Sequence, residues 1–435
     1  MTSDLIRRPR QSPWQAVPME EALEIVHANA DNLQIIEVKL ADLKTGDILA
    51  QDVKALHPHP RFRTSRMDGY AFKAADGQGS FLVLGGIGAG SSAKSLEILD
   101  RHCYRINTGG VVPDQADAVV PVEFTRLTKH DNQNELEIEI ERSMTSGQNI
   151  REVGSDISTD QLLIPHGTEL RPPEIGLLAS CALGTICVFK RPKIGVLSTG
   201  DELIDPIEEA SSSLKEGQIW DSNRPMLLEL LRAKNFQTWN GGIVKDKREL
   251  LKNAIVDGFK ECDALVLSGG VSMGDKDLLK GVLTEELHFQ IRFGRVQMKP
   301  GLPSTFAVGR LHEKQCVVFG LPGNPVSAFV SAHLFVLPWL RRRAGYSAEA
   351  SEGTVIKVRI TSDYSLDSRP EYARAYLQFN NDGLPDAHLI TTNQVSSRLI
   401  SASHANLLLK LPPKSEQKQK VLKGEIIDAI IIDRV

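Results

Sequence analysis

Three short apolar runs in the middle of the chain, Ile194–Leu197, Ala264–Leu267 and Val317–Phe319, each end in a segment rich in glycine and small polar residues. The first runs into Ser198-Thr199-Gly200-Asp201-Glu202, and the second into Ser268-Gly269-Gly270-Val271-Ser272-Met273-Gly274-Asp275-Lys276-Asp277. The third runs into Gly320-Leu321-Pro322-Gly323-Asn324-Pro325. Helical patterns over 224–233, 248–260 and 327–341 lie between or after them. Strand-helix alternation of this kind implies a parallel α/β sheet, and such a sheet binds ligands beyond the carboxyl ends of its strands. Glycine clusters followed by helices offer backbone N–H groups and partial positive charge, which suits phosphate or another oxyanion.

The chain as a whole offers an anion nothing. Its 51 basic and 55 acidic residues leave a net charge of -4, which argues against a nucleic-acid or anionic-membrane partner and requires any anion to be held locally. Asp201, Glu202, Asp275 and Asp277 would repel a phosphate beside them, and a hard divalent cation such as Mg²⁺ resolves that conflict. Taken singly, each of these acids also reads as a helix cap or a first-turn partner of the helix dipole. Gly269 and Gly274 have P-loop spacing, but Asp275 precedes Lys276 and Asp277 stands where a Ser or Thr is needed, so a Walker-type NTPase is not expected. Lys276 and Lys280, four residues apart, can turn one helical face toward an anion or toward solvent. Pro300, Gly301 and Pro303 stiffen the chain around Lys299, another candidate anion holder. The run Gly85, Gly86, Gly88, Gly90 fails the dinucleotide register at Ser91 and reads as a turn.

A length of 435 residues fits about three domains. A helical linker region is expected over 13–51 and 156–190, with helices at 12–29 and 172–183. In the first helix Val17, Ala22, Ile25 and Val26 share a face. Residues 52–155 read as an inserted β-rich domain, 191–345 as the α/β domain, and 346–435 as a small C-terminal β domain with strands at 355–360, 375–379, 407–411 and 425–432. Cys103, Cys181, Cys187, Cys262 and Cys316 have no metal-site or disulfide spacing and read as reduced, buried thiols. With no apolar stretch near the roughly 18 residues of a membrane span and no signal-like segment, the expected compartment is the cytosol.

Several long segments resemble one family, the molybdopterin molybdenumtransferases or MoeA-like molybdenum insertases, which include the E domain of gephyrin. They are Ser65–Ala71, Asn107–Gly109, Ala116–Val120, Ile150-Arg151 and Gly154–Asp156 in the β-rich part, and Gly195–Leu203, Asp221–Met226 and Leu267–Asp277 in the α/β part. Lys299–Pro303, Leu321–Ser327 and Arg369–Tyr372 continue the match. The resemblance implies the last step of molybdenum cofactor synthesis, in which adenylylated molybdopterin is hydrolysed to release AMP and molybdate is inserted at the dithiolene, with Mg²⁺ as cofactor. It also implies an elongated homodimer, a separate molybdopterin adenylyltransferase as partner and molybdoenzymes as acceptors.

By matched position, Asp68, Thr108, Asp156, Glu202 and Asp277 are the catalytic candidates; the charge argument from the clustered acids makes Asp201, Glu202 and Asp277 the metal candidates. The substrate-binding candidates are Gly200, Asp201, Ser268, Gly269, Gly270, Ser272, Lys276, Lys280, Lys299, Pro322, Asn324, Pro325 and Ser327. Arg374, Ser396 and Ser397 join them as groups near molybdate or pterin, or else as ordinary polar groups of turns and edge strands. His404 reads as a capping or core histidine. Leu302 departs from the pattern, since some members carry a second lysine there. The rival function is that of a receptor-clustering scaffold of the gephyrin E-domain type.

Overall fold

The structure, a computed structural model, describes residues 13–30, 33–208, 213–270, 278–311, 313–381 and 383–434. It divides into two compact units. One comprises the chain up to Val38, Lys44–Ala50 and everything from Cys187 onward; the other is Lys39–Leu43 with Gln51–Ile186.

The first unit is built on a six-stranded sheet of β1 (Lys193–Thr199), β2 (Gln237–Val244), β3 (Ala264–Ser268), β4 (Gln290–Phe293), β5 (Thr305–Leu311) and β6 (Lys314–Leu321), in the order β2-β1-β3-β6-β5-β4. β2, β1, β3 and β6 run parallel, as the alternation of strands and helices predicts. The sheet is nevertheless mixed: β5 pairs antiparallel with β6, and β4 with β5. The expectation of a purely parallel sheet fails at this edge because β5 and β6 form a hairpin, which needs no crossover helix.

Both faces are covered, as the near-continuous apolar runs of central parallel strands require. One face packs against the helices Met19–Ala28, Asn223–Ala233 and Pro325–Ser331 through a core that includes Val196, Val266, Phe319 and Trp339. The other packs against Arg248–Glu261 through Leu197, Leu265, Leu267 and Phe259. Helix Met19–Ala28 starts later than its apolar pattern suggests, because the backbone of Val17 is spent in a parallel bridge: its N–H donates to Arg295 and its carbonyl accepts from Gln297. Ser12 lies outside the described residues. Helix Pro325–Ser331 continues through a π turn at Ala332–Val336 into Leu337–Arg343. Pro338 has no N–H to offer residue 334, and the wider turn is where the chain absorbs that loss.

The C-terminal strands close into a barrel in the order Val355–Ile360, Asp386–Leu389, Glu371–Gln378, Leu407–Leu411, Ile426–Ile431. Tyr372, Ala405, Leu408 and Ile432 join the core of the α/β sheet, so the barrel and the sheet share apolar packing.

The second unit carries a sheet in the order Ala118–Pro121, Gly69–Phe72, His102–Ile106, Gly79–Ile87, Glu135–Ile140, Thr125–His130. The glycine run expected to form a turn lies partly within a strand, since Gly85 and Gly86 sit at a register shift of Gly79–Ile87. Glycine commonly marks such a bulge. All five cysteines are free, and burial pushes the thiols of Cys103 and Cys262 up to about 12. Among the described residues no helix is long and apolar enough to cross a membrane.

One polar cluster is embedded in the sheet domain. Arg224, at the start of its helix and 1% exposed, donates to Asp221 (Nε to Oδ2, 3.0 Å), to Asn240 (Nη1 to Oδ1, 2.7 Å) and to Asp205. Asp221, equally buried, also accepts from Ser198 (2.9 Å). Removing the guanidinium leaves Asp221 and Asp205 without their counter-charge, so Arg224→Ala is expected to lower unfolding stability by about 3–5 kcal/mol in urea titrations.

Candidate functional site

The parallel register places the three strand ends side by side: Ser198 pairs with Ser268, and Ser268 with Leu321. Beyond them opens a cavity of about 740 Å³. Of the residues expected at a site, Glu202, Ser268, Gly269, Gly270, Pro322, Asn324, Pro325 and Ser397 line it. Trp220, Asn223 and Asp246 line it too, and none of these three stands out from sequence spacing.

The glycines here serve close approach more than amide display. Gly269 has φ +92°, and a Cβ on it would stand 2.4 Å from the Thr199 carbonyl oxygen, so no other residue fits. Its N–H donates to Leu321 O (3.1 Å), and that of Gly200 to Val244 O (3.1 Å). Neither amide is therefore available to an anion, contrary to the general expectation for a glycine-rich strand end. Gly200 makes room instead: a Cβ there would lie 2.7 Å from Glu202 Oε2, where the carboxylate now sits.

Asn223 fastens two strand ends together. Its Nδ2 donates to Ser268 Oγ (2.6 Å) and to the Gly323 carbonyl (2.8 Å). A carbonyl can only accept, which fixes the orientation of the amide. Ser268 Oγ therefore accepts from Asn223, and its own proton is left to donate elsewhere. The only sequence signal for Asn223 is its place in Asp221–Met226, at a helix start directly after a strand.

The acids divide. Asp201 does not line the cavity; its Oδ1 accepts the Asp246 amide (3.1 Å) while Lys245 Nζ donates to the backbone carbonyls of Asp201 (3.2 Å) and Leu203 (3.4 Å). Glu202 and Asp246 line the cavity. Among the described residues no three His, Cys, Asp or Glu side chains gather as a complete metal cage. An oxygen-only set built on Glu202 does fit Mg²⁺, which characteristically takes one or two carboxylates and completes its shell with waters and substrate phosphates. Ser272, Lys276 and Asp277, like Asp275, lie outside the described residues.

A second cavity, of about 610 Å³, shares Pro303, Pro322 and Asn324 with the first. Lys299, Ser327, Arg369 and Ser396 line it, and so does Leu302, which puts an apolar side chain on its wall. Asn324 Nδ2 donates to Ser396 Oγ (3.1 Å) at the shared wall. Two expected anion contacts are not at either cavity. Lys280 is buried in the short helix Leu278–Gly281. Arg374 lies on the outer face of its strand, the face of Tyr372 and Leu408, fully buried, with Nη2 donating to Ser401 Oγ (2.9 Å); it sits in a central strand rather than in the turn its polarity suggests.

In the other unit Asp68 and Thr108 come together across 40 residues of sequence. Asp68 Oδ1 accepts the Thr108 amide (2.6 Å) and hydroxyl (3.0 Å), and these two bonds hold its carboxyl below the ordinary carboxylate value. Asp156 is engaged by one edge of the Arg151 guanidinium, with Nε 3.0 Å from Oδ1 and Nη2 on Oδ2.

Three family profiles match: the MoeA N-terminal region (domain I and II) over 17–182, the probable molybdopterin binding domain over 195–342, and the MoeA C-terminal region (domain IV) over 357–432. The molybdenum cofactor synthesis protein cinnamon of Drosophila melanogaster is 38% identical over 427 residues, 97% of this chain and 67% of the relative. The chain belongs to the MoeA family. Gephyrin of Dictyostelium discoideum is 35% identical over 97% of the chain and 63% of its own length, so the chain spans about two thirds of these two relatives. A molybdopterin molybdenumtransferase of Staphylococcus aureus is 28% identical over 96% of both chains. The crystal structure of a MoeA protein from Pyrococcus horikoshii superposes with a TM-score of 0.77 at 26% identity, covering 97% of this chain and all of that one.

Within this MoeA chain the molybdopterin-binding profile spans the six-stranded sheet and all three strand ends, while the C-terminal profile spans the barrel whose 392–396 loop lines the second cavity. The Asp68–Thr108 contact makes a direct prediction. Thr108→Val removes the hydroxyl bond and keeps the amide bond, so the Asp68 carboxyl is expected to move part of the way back up toward its ordinary value, as followed by carbon-detected NMR titration.

Proposed function

We propose that this chain is a molybdenum insertase: it binds adenylylated molybdopterin, cleaves the phosphoanhydride to release AMP, and places molybdate on the dithiolene sulfurs. The observation that carries this reading is the pair of cavities with a common wall. One is edged by hydroxyls and the acids Glu202, Asp221 and Asp246 at the strand ends; the other is edged by Lys299 and Arg369. A substrate with a pyrophosphate at one point and a metal-accepting dithiolene at another needs two such adjacent compartments.

In this scheme Ser268, whose proton is free to be donated, hydrogen-bonds a phosphate oxygen, and Asn223 keeps it in that role. Glu202 and, by the family resemblance, Asp277 would hold Mg²⁺. When bound, the cation offsets the negative charge of the pyrophosphate. Water adds to one phosphorus, the bridging P–O bond breaks, and the departing phosphate leaves as AMP. Lys299 and Arg369 attract molybdate to the second cavity, and Leu302 restricts that wall to a non-ionic contact. Asp68, Thr108 and Asp156 act in the same reaction. We further assign the chain to a homodimer in the cytosol, supplied with substrate by a separate adenylyltransferase and delivering cofactor to molybdoenzymes. The domain limits that accompany this reading are 13–51 with 156–190, 52–155, 191–345 and 346–435.

Glu202→Gln and Asp277→Asn are each expected to slow AMP release from adenylylated molybdopterin by ~10²-fold or more. Rates near wild type for both variants would overturn the assignment.

A further inference from the structure

Lys299 is held by the barrel at both its backbone and its side chain. Its N–H donates to Pro370 O (2.8 Å) and its carbonyl accepts from Tyr372 N–H (2.8 Å), a parallel bridge centred on Glu371. Its ammonium lies 3.2 Å from Glu371 Oε1 and 3.3 Å from Asp367 Oδ2. Glu371 is 1% exposed, and its Oε1 also accepts the Tyr364 hydroxyl (2.8 Å). Asp367 is fixed in turn by the Arg369 amide and Nε, each 3.1 Å from Oδ1. Burial works to raise the Asp367 carboxyl, but the Arg369 contacts outweigh it and hold it at about 2, so it stays charged.

An ammonium has three N–H donors. Both carboxylate contacts are ion pairs, and the side chain also lines the cavity with Tyr364 and Arg369, so N–H donors remain for an anion there. Arg374 lies behind Glu371, near enough to feel its charge, and is wholly buried. Among the described residues its Nε and Nη1 have no hydrogen-bond partner, and neither does Glu371 Oε2. Burying a carboxylate and a guanidinium with such incomplete pairing contributes little stability compared with an apolar core. An arrangement of that kind makes physical sense where the carboxylate has to stand in one place.

We propose that Glu371 is a positioning residue for Lys299: its buried carboxylate, with Asp367 beside it, aims the ammonium so that one N–H donor meets one oxygen of the oxyanion in the second cavity. The proposal rests on the insertase function above. The opposite effect is equally concrete, because a carboxylate this close to a lysine could instead screen its charge and weaken anion binding. The two effects differ in sign when the charge of Glu371 is removed.

The test measures KM for molybdate and kcat for cofactor formation by the full chain, with thermal midpoints as a folding control. Glu371→Gln is expected to raise KM for molybdate about tenfold, with kcat at saturating molybdate falling less than about threefold. Tyr364→Phe, which removes only one bond to Glu371, shifts KM in the same direction by about two- to fivefold and keeps the test open should Glu371→Gln fold poorly. The Lys299→Ala/Glu371→Gln double variant is expected to be no worse than Lys299→Ala, because residues acting through one contact are not additive. An unchanged or lowered KM in Glu371→Gln, or in Tyr364→Phe if that is the folded variant, would overturn the positioning role, as would additive losses. If Lys299→Ala itself leaves KM for molybdate unchanged, the anion role of Lys299 fails and the positioning role falls with it. If Lys299→Ala raises KM and Glu371→Gln does not, only the positioning role fails.

Discussion

The register of β1, β3 and β6 decides where everything else can go. Ser198, Ser268 and Leu321 stand in one row across three parallel strands, so three loops far apart in sequence leave the sheet at one edge. In a parallel sheet the hydrogen bonds that set this register are evenly spaced, and with both faces covered a slip by one residue would hand each side chain to the layer of helices it is not shaped to fit. Once the row is set, Gly269 has no room for a side chain, the Gly200 and Gly269 amides continue the ladder, and the hydroxyls and acids that remain form the cavity wall. The site is a by-product of strand alignment, sharpened by a few polar contacts.

Those contacts work by limiting choices. Asn223 can donate to Gly323 only if its carbonyl oxygen faces the other way, and that commits Ser268 to accept on one side and donate on the other. Asp221 accepts from Ser198 and from Arg224, so the serine next in the row is committed as well, but to the interior. Two serines at equivalent positions on neighbouring strands thus acquire opposite roles from a single segment, Asp221–Arg224. Lys299 is limited by charge instead, its ammonium ion-paired with Asp367 and Glu371.

The parts of this molecule that could be read from sequence are those whose cause is local. Apolar runs bounded by glycine located β1, β3 and β6 closely, and the C-terminal strands at 355–360 and 407–411 coincide with strands of the barrel. The antiparallel edge was not legible, because the apolar residues of Thr305–Leu311 follow no period that distinguishes a hairpin partner from a crossover product. Asp68 and Thr108 could be named only through resemblance, since their contact spans 40 residues. Asn223 and Glu371 lay within matched segments, yet nothing in their spacing says which atom each holds. Arg374 misled for the converse reason: a charged residue between short strands reads as a turn, while here it is buried on the outer face of a barrel strand, the face of Tyr372 and Leu408.

A net charge of -4 and a polyanionic substrate are compatible once the acids are sorted by partner. Asp205 and Asp221 are paired with Arg224, and Asp156 with Arg151. Each of these pairs costs the local field little, because a carboxylate bonded to a guanidinium or ammonium is nearly neutral a few ångströms away, and salt screens what is left within about 8–10 Å. Among the described residues, Glu202 and Asp246 line the strand-end cavity. The overall charge therefore says almost nothing about what the cavities attract. What matters is that the basic partners of the second cavity come from two different parts of the fold, Lys299 from the sheet domain and Arg369 from the segment leading into the barrel, so its pull on an anion depends on how firmly the barrel is docked. The shared core of Tyr372, Leu408 and Ile432 against the sheet helices supplies that firmness, and it places the strength of the anion site under the control of apolar packing rather than of charge.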